Sequence, residues 1–407
     1  MNKSLERLQK SAQKEERHVI GLMSGTSLDG LDVALCRFKG TGAATEAEVV
    51  AFTDFSYPQE LVDRLDRLCF RDEVDAEILT VMNAELGKLH GQMVNQALLK
   101  WEIGPETIDA IASHGQTVYH APAHQQQRSA GEVHSTLQIG DGDRIAQVTG
   151  IPTLCDFRQK DIAIGGEGAP LAVYGDVVLF SKPQTVRFLL NIGGISNFTF
   201  LDGSGEIRNT LTTDTGPGNT MMNSFMRTID PPQNFDRNGE LASSGHPDQM
   251  LLNELLSHHF FETPFPKSTG PEVFNLDYLQ ECREKTDENG LSNADVMATL
   301  NLFTARSIAE AVKTVLAERV EADAPNAEVI VSGGGVHNPV LQQNLRSEFP
   351  SNVKLLSLAE LGINPDAKEA LLFAAMANET IAGEGLDNIY SGDPAKKVHL
   401  GKIALPD

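Results

Sequence analysis

Apolar positions along this chain follow two periods, one of strand type and one of helix type. Apolar runs of strand length at residues 19–23 and 31–35 flank the turn S-G-T-S-L-D-G, residues 24–30, and predict a β-hairpin. A third strand is expected over residues 48–55. Residues 59–70 carry Leu61, Leu65 and Leu68 at helical spacing. Residues 75–101 carry Ile78, Val81, Met82, Leu86, Leu89, Met93 and Leu98, which predicts one long amphipathic helix, or two joined near Gly87 and Gly91. Strands are expected over residues 108–113, 136–139 and 151–157, with a helical turn or two over 143–148. Residues 122–134 are polar, with three successive Gln, and read as a surface loop; the Gly-rich run 165–168 reads as a flexible crossing near a lobe boundary.

Farther on, strands over 186–192 and 196–201 flank Gly193-Gly194, a strand over 211–214 runs into T-G-P-G-N, and a strand over 329–332 closes on Gly333-Gly334-Gly335. Helices are expected near 221–228, 249–260, 295–318, 339–347 and 367–381. Strands alternating with helices give an α/β class. The hairpins opening at residues 19 and 186 are alike and lie about 170 residues apart, roughly one domain length. They suggest a duplicated, two-lobed architecture with a cleft, and two unrelated hairpins stay open as the plainer reading.

Composition narrows the picture. A chain of 407 residues suits two domains or lobes, and 41% hydrophobic with 22% charged residues is globular. A formal net charge of −23 argues against nucleic acid or an anionic membrane as the main partner, and it requires any anionic ligand to be held by local donors. Cys36, Cys69, Cys155 and Cys282 lie far apart, which suggests neither a zinc site nor a disulfide framework and fits a reducing compartment. No apolar run approaches the ~20 residues of a membrane span. The first 18 residues are charged and lack the apolar core of a signal peptide. A soluble cytoplasmic protein with a frayed N-terminal extension is expected.

The candidate chemistry lies in turns after strands. There is no G-x-x-x-x-G-K-[ST] P-loop and no protein-kinase motif set. Three Gly-rich turns instead follow strands, at 24–30, 193–196 and 333–335. Successive backbone N–H groups in such turns can form a nest for phosphate. Three adjacent glycines without Cβ atoms let a flat ring, such as a nucleoside base, lie on the backbone. Asp214, at a strand end beside Gly216 and Gly218, is a candidate general base, or a cap of the helix that follows. Asp29 is a candidate Mg²⁺ ligand through water, or an Asx-turn residue; Asp32 follows on the return strand. His114, after the buried strand ending at Ser113, is more readily a structural hydrogen-bonder than a catalyst. Glu369 opens an apolar helix, where the helix dipole alone favours an acid. Lys267-Ser268-Thr269-Gly270 looks like a P-loop tail, but it lacks the leading Gly and follows Pro266, so it is discounted.

At these residues the chain resembles the anhydro-N-acetylmuramic acid kinases of bacterial cell-wall recycling. The resemblance runs from about residue 20 to the C-terminus. It is carried by G-L-M-S-G-T-S-L-D-G-L-D, S-H-G-Q-T-V-Y-H, T-L-Q-I-G-D, D-F-R-Q-K-D-I-A-I-G-G-E-G-A-P-L, L-N-I-G-G-I-S-N, D-T-G-P-G-N, F-D-R-N-G, P-K-S-T-G and V-S-G-G-G-V-H-N, in that order. The N-terminal extension and the Gln-rich loop near Gln125 are extra, with no catalytic role expected.

The resemblance implies a two-lobed actin/hexokinase-like (ribonuclease H-like) ATPase fold with ATP and Mg²⁺ in an inter-lobe cleft. It implies a first lobe of residues 19–157 plus about 385–407 and a second of 158–384. The implied reaction opens the 1,6-anhydro ring of 1,6-anhydro-N-acetylmuramic acid with water and phosphorylates O6. Gly25, Thr26, Ser27, Leu28, Asp29, Gly30, Leu31 and Asp32 match the ATP-binding segment, and Gly193, Gly194, Gly333, Gly334 and Gly335 are expected to complete the ATP site. Asp214 matches the catalytic aspartate and Glu369 a substrate-contacting acid. Ser113, His114 and Arg158 join the expected sugar site, Arg158 as a partner for the lactyl carboxylate. A homodimer is implied. Two other classes stay open. One is a non-metabolic ATPase of the same fold, filament-forming or chaperone-like; the other is an ATP-independent inverting glycosidase using Asp214 and Glu369.

Overall fold

The computed structural model describes residues 3–25, 28–126, 133–169, 171–287, 290–320, 327–387 and 396–406. The chain divides into two compact units. The first comprises Met1–Phe180, Gly205–Arg208 and Gly362–Asp407; the second comprises Ser181–Ser204 and Asn209–Leu361.

The first unit is built on a six-stranded sheet of β1 (Glu16–Met23), β2 (Gly30–Lys39), β3 (Glu46–Ser56), β4 (Ala110–Ser113), β7 (Thr153–Cys155) and β15 (Lys402–Ala404), in the order β15-β7-β4-β1-β2-β3. The first three strands form an antiparallel meander, and β4 and β7 add in parallel on the side of β1. Strands β5 (Gln116–Ala121) and β6 (Ser135–Ile139) form a separate antiparallel pair. The expected long helix is one element, Ala76–Trp101, capped by the Asp75 side chain on the N–H groups of Glu77 and Ile78.

The second unit carries β8 (Val186–Ile192), β9 (Ile195–Leu201), β10 (Leu211–Pro217), β11 (Ala327–Ser332) and β12 (Val353–Ser357), in the order β10-β9-β8-β11-β12. Again three antiparallel strands are followed by two parallel ones. Apart from β15, the two sheets therefore share one order, 3-2-1-4-5, and the α/β class and the duplication expected from the two hairpins are both present. Strand β8 is buried at all but one position, as befits a central strand covered on both faces. A short ribbon, β13 (Leu386–Asp387) with β14 (Lys397–Val398), completes the strands among the described residues.

Several elements depart from the sequence expectation. The N-terminal segment is not frayed: Lys3–Ala12 is a helix. Arg7 donates to the carbonyls of Gly150, Pro105 and Ile108, and Ser11 and Lys14 both bond the buried Asp109. The strand expected over 151–157 stops at Cys155, because Asp156 turns the chain with φ +54°, and Phe157–Ala163 is a helix. The helices Ala172–Phe180 and Leu276–Lys285 carried no expectation. The helix Lys368–Ala382, expected in the second lobe, belongs to the first unit, as do residues 158–180. It lies so close to β1 that a Cβ on Gly21 would stand 1.9 Å from the Ala370 carbonyl oxygen. Among the described residues no helix is long and apolar enough to cross a membrane.

Candidate active site

The candidate groups fall into one cluster in each unit. In the first, the β1–β2 turn, the end of β3 and the start of the helix Lys368–Ala382 enclose a cavity of about 350 Å³. It is lined by Gly25, Asp29, Gly30, Asp32, Asp54 and Glu369 among others. Thr26 and Ser27 lie outside the described residues. Leu28, with φ +59°, and Leu31 bury their side chains in the core of this unit, so any contact they make with a ligand is through the backbone. A buried polar chain fixes the base of the turn. Ser24 Oγ donates to Gln116 Oε1, Gln116 Nε2 donates to the Gly25 carbonyl at 3.1 Å, and Tyr57 OH donates to Ser24 Oγ at 2.9 Å.

Asp32 stands directly across from Asp54 in the β2–β3 register. Burial first, then Glu369, Asp54, Asp29 and Asp366, push its carboxyl up from 3.8 to about 6. These are hard oxygen donors, and a divalent cation would relieve the repulsion among them. No three such groups converge as a ready-made cage among the described residues.

Glu369 and Phe373 lie one turn apart on their helix. The Phe373 ring packs on His114 at 4.8 Å, and Glu369 acts electrostatically on Arg158. Arg158 Nε donates to His114 Nε2 at 2.9 Å, and its Nη1 donates to the Gly168 carbonyl at 2.7 Å. Burial, then the Arg158 charge, lower the His114 pKa to about 3, so the ring is neutral, with its proton on Nδ1. His114 thus accepts a hydrogen bond that helps fix the direction of the Arg158 side chain. Ser113 is buried, and its hydroxyl makes no hydrogen bond among the described residues.

In the second unit, Asp214 ends the regular part of β10, just before the register shifts toward Gly216. Its N–H donates to the Lys267 carbonyl at 3.0 Å, and its Oδ2 accepts from the Thr269 N–H at 2.9 Å. Burial raises its pKa above the usual carboxylate value, while the Thr269 N–H pulls the other way. Asp214 does not cap the following helix. The carbonyls of Gly193 and Gly194 take the N–H groups of Gly218, Asn219 and Thr220 at 2.8–3.0 Å, which ties the β8–β9 turn to the start of the helix Thr220–Thr228.

The three glycines after β11 have three different reasons. Gly333 needs its φ of +82°, and a Cβ on Gly335 would stand 2.4 Å from Ile192. Only Gly334 lines the adjacent cavity of about 440 Å³, with Asn219, Asn223, Phe235, Arg237 and Asn338. The Arg237 guanidinium lies 5.7 Å from the Phe235 ring centre, so the cavity carries an exposed aromatic and a cation at one edge. A larger cavity of about 650 Å³ near Asp141, Cys155 and Lys402 touches none of the candidate residues.

The family model for anhydro-N-acetylmuramic acid kinase matches residues 17–405. The chain belongs to the anhydro-N-acetylmuramic acid kinase family. It is 48% identical over 409 residues to the anhydro-N-acetylmuramic acid kinase of Pseudoalteromonas atlantica, with 100% of both chains covered. The like-named protein of Pseudoalteromonas translucida is 45% identical over 407 residues, again with 100% of both covered. That of Caldanaerobacter subterraneus subsp. tengcongensis is 38% identical over 403 residues, covering 98% of this chain and 100% of the relative. Membership in the anhydro-N-acetylmuramic acid kinase family makes the chain a kinase with a small-molecule substrate, and excludes the filament, chaperone and plain glycosidase readings.

Two sets of residues in this kinase show their place only in the fold. P-K-S-T-G carries the resemblance but reads by itself as no more than a broken P-loop, yet its turn brackets Asp214. F-D-R-N-G had no role assigned, yet Phe235, Arg237 and Asn238 line the second unit's cavity. Both motifs were visible in the sequence; what was missing was the strand or turn that each one faces.

Proposed function

We propose that this chain uses ATP to open the 1,6-anhydro ring of 1,6-anhydro-N-acetylmuramic acid and to phosphorylate O6, giving N-acetylmuramic acid 6-phosphate and ADP. Asp214 takes a proton from water as the water oxygen bonds to the anomeric carbon. The bond from that carbon to O6 breaks, O6 bonds to the γ-phosphorus, and ADP departs. An inverting glycosidase needs a second carboxyl group to protonate its leaving oxygen. Here the phosphoryl group takes that place, so one base suffices. The observation that carries this reading is a half-buried carboxylate of raised pKa whose Oδ2 is already engaged by a backbone N–H. Such a group is preset as a base, an effect worth about 10²–10⁴ in rate.

In this reading the backbones of Gly25 and Gly30 in the first unit and of Gly193 and Gly194 in the second are candidates to bind phosphate, and Gly334 beside Phe235 is the candidate place for the nucleoside base. Asp29, through water, and Asp32 are the carboxylates that would hold Mg²⁺, which when bound neutralises phosphate charge. Glu369 and Arg158 hold the sugar, Arg158 at the lactyl carboxylate with His114 bonded to it, and Ser113 belongs to the same proposed sugar site. A cytoplasmic homodimer belongs to the same proposal, and sedimentation tests its oligomeric part. The direct test of the chemistry is Asp214→Asn. The variant should bind ATP normally and lose both ring opening and phosphorylation. Ring opening that survives in this variant would remove Asp214 as the base.

A further inference from the structure

Lys267 carries a charge with no carboxylate partner among the described residues. Its Nζ lies 4.5 Å from the centre of the Phe260 ring, 4.8 Å from Phe265 and 5.9 Å from Phe261. It donates to the carbonyls of Phe260 at 2.9 Å and Phe261 at 3.3 Å. An ammonium is strongly hydrated, so taking it into a cage of rings is costly, and the ring faces and carbonyls offset that cost. Burial accordingly lowers the Lys267 pKa.

The cage itself is anchored. The Phe261 ring lies under β10, where a Cβ on Gly216 would meet it at 3.1 Å. It also packs on Phe274 at 5.6 Å and Phe303 at 5.7 Å, and Phe265 packs on Phe198 at 6.4 Å. The main chain of the same lysine grips the catalytic strand. The Lys267 N–H donates to Thr213 Oγ1 at 2.9 Å, and its carbonyl accepts the Asp214 N–H at 3.0 Å. Two residues on, the Thr269 N–H donates to Asp214 Oδ2 at 2.9 Å. One residue thus has its partly buried ammonium held among three rings and its backbone clamped on the candidate base.

We propose that Lys267 is a positioning residue for Asp214: its caged ammonium pins the turn whose Thr269 N–H holds Oδ2, and so leaves Oδ1 aimed as the base. This rests on the reading of Asp214 as the base. A general base must be held in a narrow range of positions, and a displacement of about 1 Å can cost on the order of 10²-fold in rate. Methionine would fill the ring cage without the charge, and arginine would restore a cation to it.

The experiment compares the wild type with Lys267→Met, Lys267→Arg and Asp214→Asn, measuring kcat, both KM values and the pH profile of kcat/KM. Lys267→Met should lower kcat about 10- to 100-fold and leave the KM for ATP within about twofold. Loss of the Thr269 N–H removes what holds the Asp214 pKa down, so the acid limb of kcat/KM should move to higher pH. Lys267→Arg should recover most of the rate and return the limb. Should Lys267→Met not fold, Lys267→Gln replaces it with the same expectations, since it keeps a donor for the two carbonyls but no charge. A wild-type rate and limb in the uncharged variant overturns the proposal. So does a lowered kcat with an unmoved limb, which would make Lys267 merely structural. An active Asp214→Asn is a separate result, which removes the base and not the clamp.

Discussion

Asp32 is the residue on which burial and like charge act together. Its carboxyl stands opposite Asp54, near Glu369 and Asp29, and titrates at about 6 instead of 3.8. A folded-state pKa above the unfolded one means that the native protein holds this proton more tightly. Well below 3.8 the group is protonated in both states and has no effect; as pH rises from 3.8 through about 6 the native state loses stability, and the loss is complete above that. Asn cannot ionise and escapes that cost. In the absence of nucleotide and divalent ion, Asp32→Asn should be more stable than wild type at pH 7.5 by about 1–2 kcal/mol, a figure discounted for screening at a half-exposed site, and equal to it near pH 3. Urea unfolding at the two pH values checks this, and equal stabilities at pH 7.5 would contradict it. The same substitution should impair the reaction, because this repulsion is what a bound cation would relieve.

At the scale of elements, Gly21 decides where Glu369 stands. The helix Lys368–Ala382 rests directly on the backbone of β1, and Ala370 leaves no room for a Cβ at residue 21. Gly21→Ala should cost about 3 kcal/mol or more, since a backbone atom cannot give way as a flexible side chain can. An unchanged urea midpoint would contradict the packing. The hairpins and the long helix were legible in the sequence because each buries one face, so its period shows. Ala172–Phe180 was not, because it is buried nearly all round and A-V-Y-G-D-V-V-L-F has no polar face to mark a period. Residues 151–157 read as one apolar strand, and only the left-handed turn at Asp156 splits them into a strand and a helix. In the candidate site, Asp214 and the β1–β2 turn were legible as glycine-flanked chemistry. The partners of Asp214 were not, since they are backbone groups of Lys267 and Thr269, some fifty residues away in sequence.

Across the whole molecule, one sheet order used twice explains why two similar hairpins occur in one chain. The two chain ends also meet within the first unit, where Ser4 Oγ donates to the Pro406 carbonyl at 2.7 Å. The N-terminal helix looked dispensable because its partners are carbonyls, which no pattern of side chains reveals. Arg7→Ala removes a guanidinium from three of them and should cost about 1–2 kcal/mol with kcat unchanged. A thermal scan beside a rate measurement checks both parts, and an unchanged midpoint would return the segment to a loose extension.

The central claim is that ring opening and phosphoryl transfer form one coupled event. The most direct measurement incubates the protein with 1,6-anhydro-N-acetylmuramic acid, with and without Mg·ATP, and quantifies sugar, sugar phosphate and ADP by mass spectrometry. Coupled chemistry gives one ADP per N-acetylmuramic acid 6-phosphate and no ring-opened sugar without ATP. Free N-acetylmuramic acid formed without ATP, or ADP formed without sugar phosphate, would contradict it.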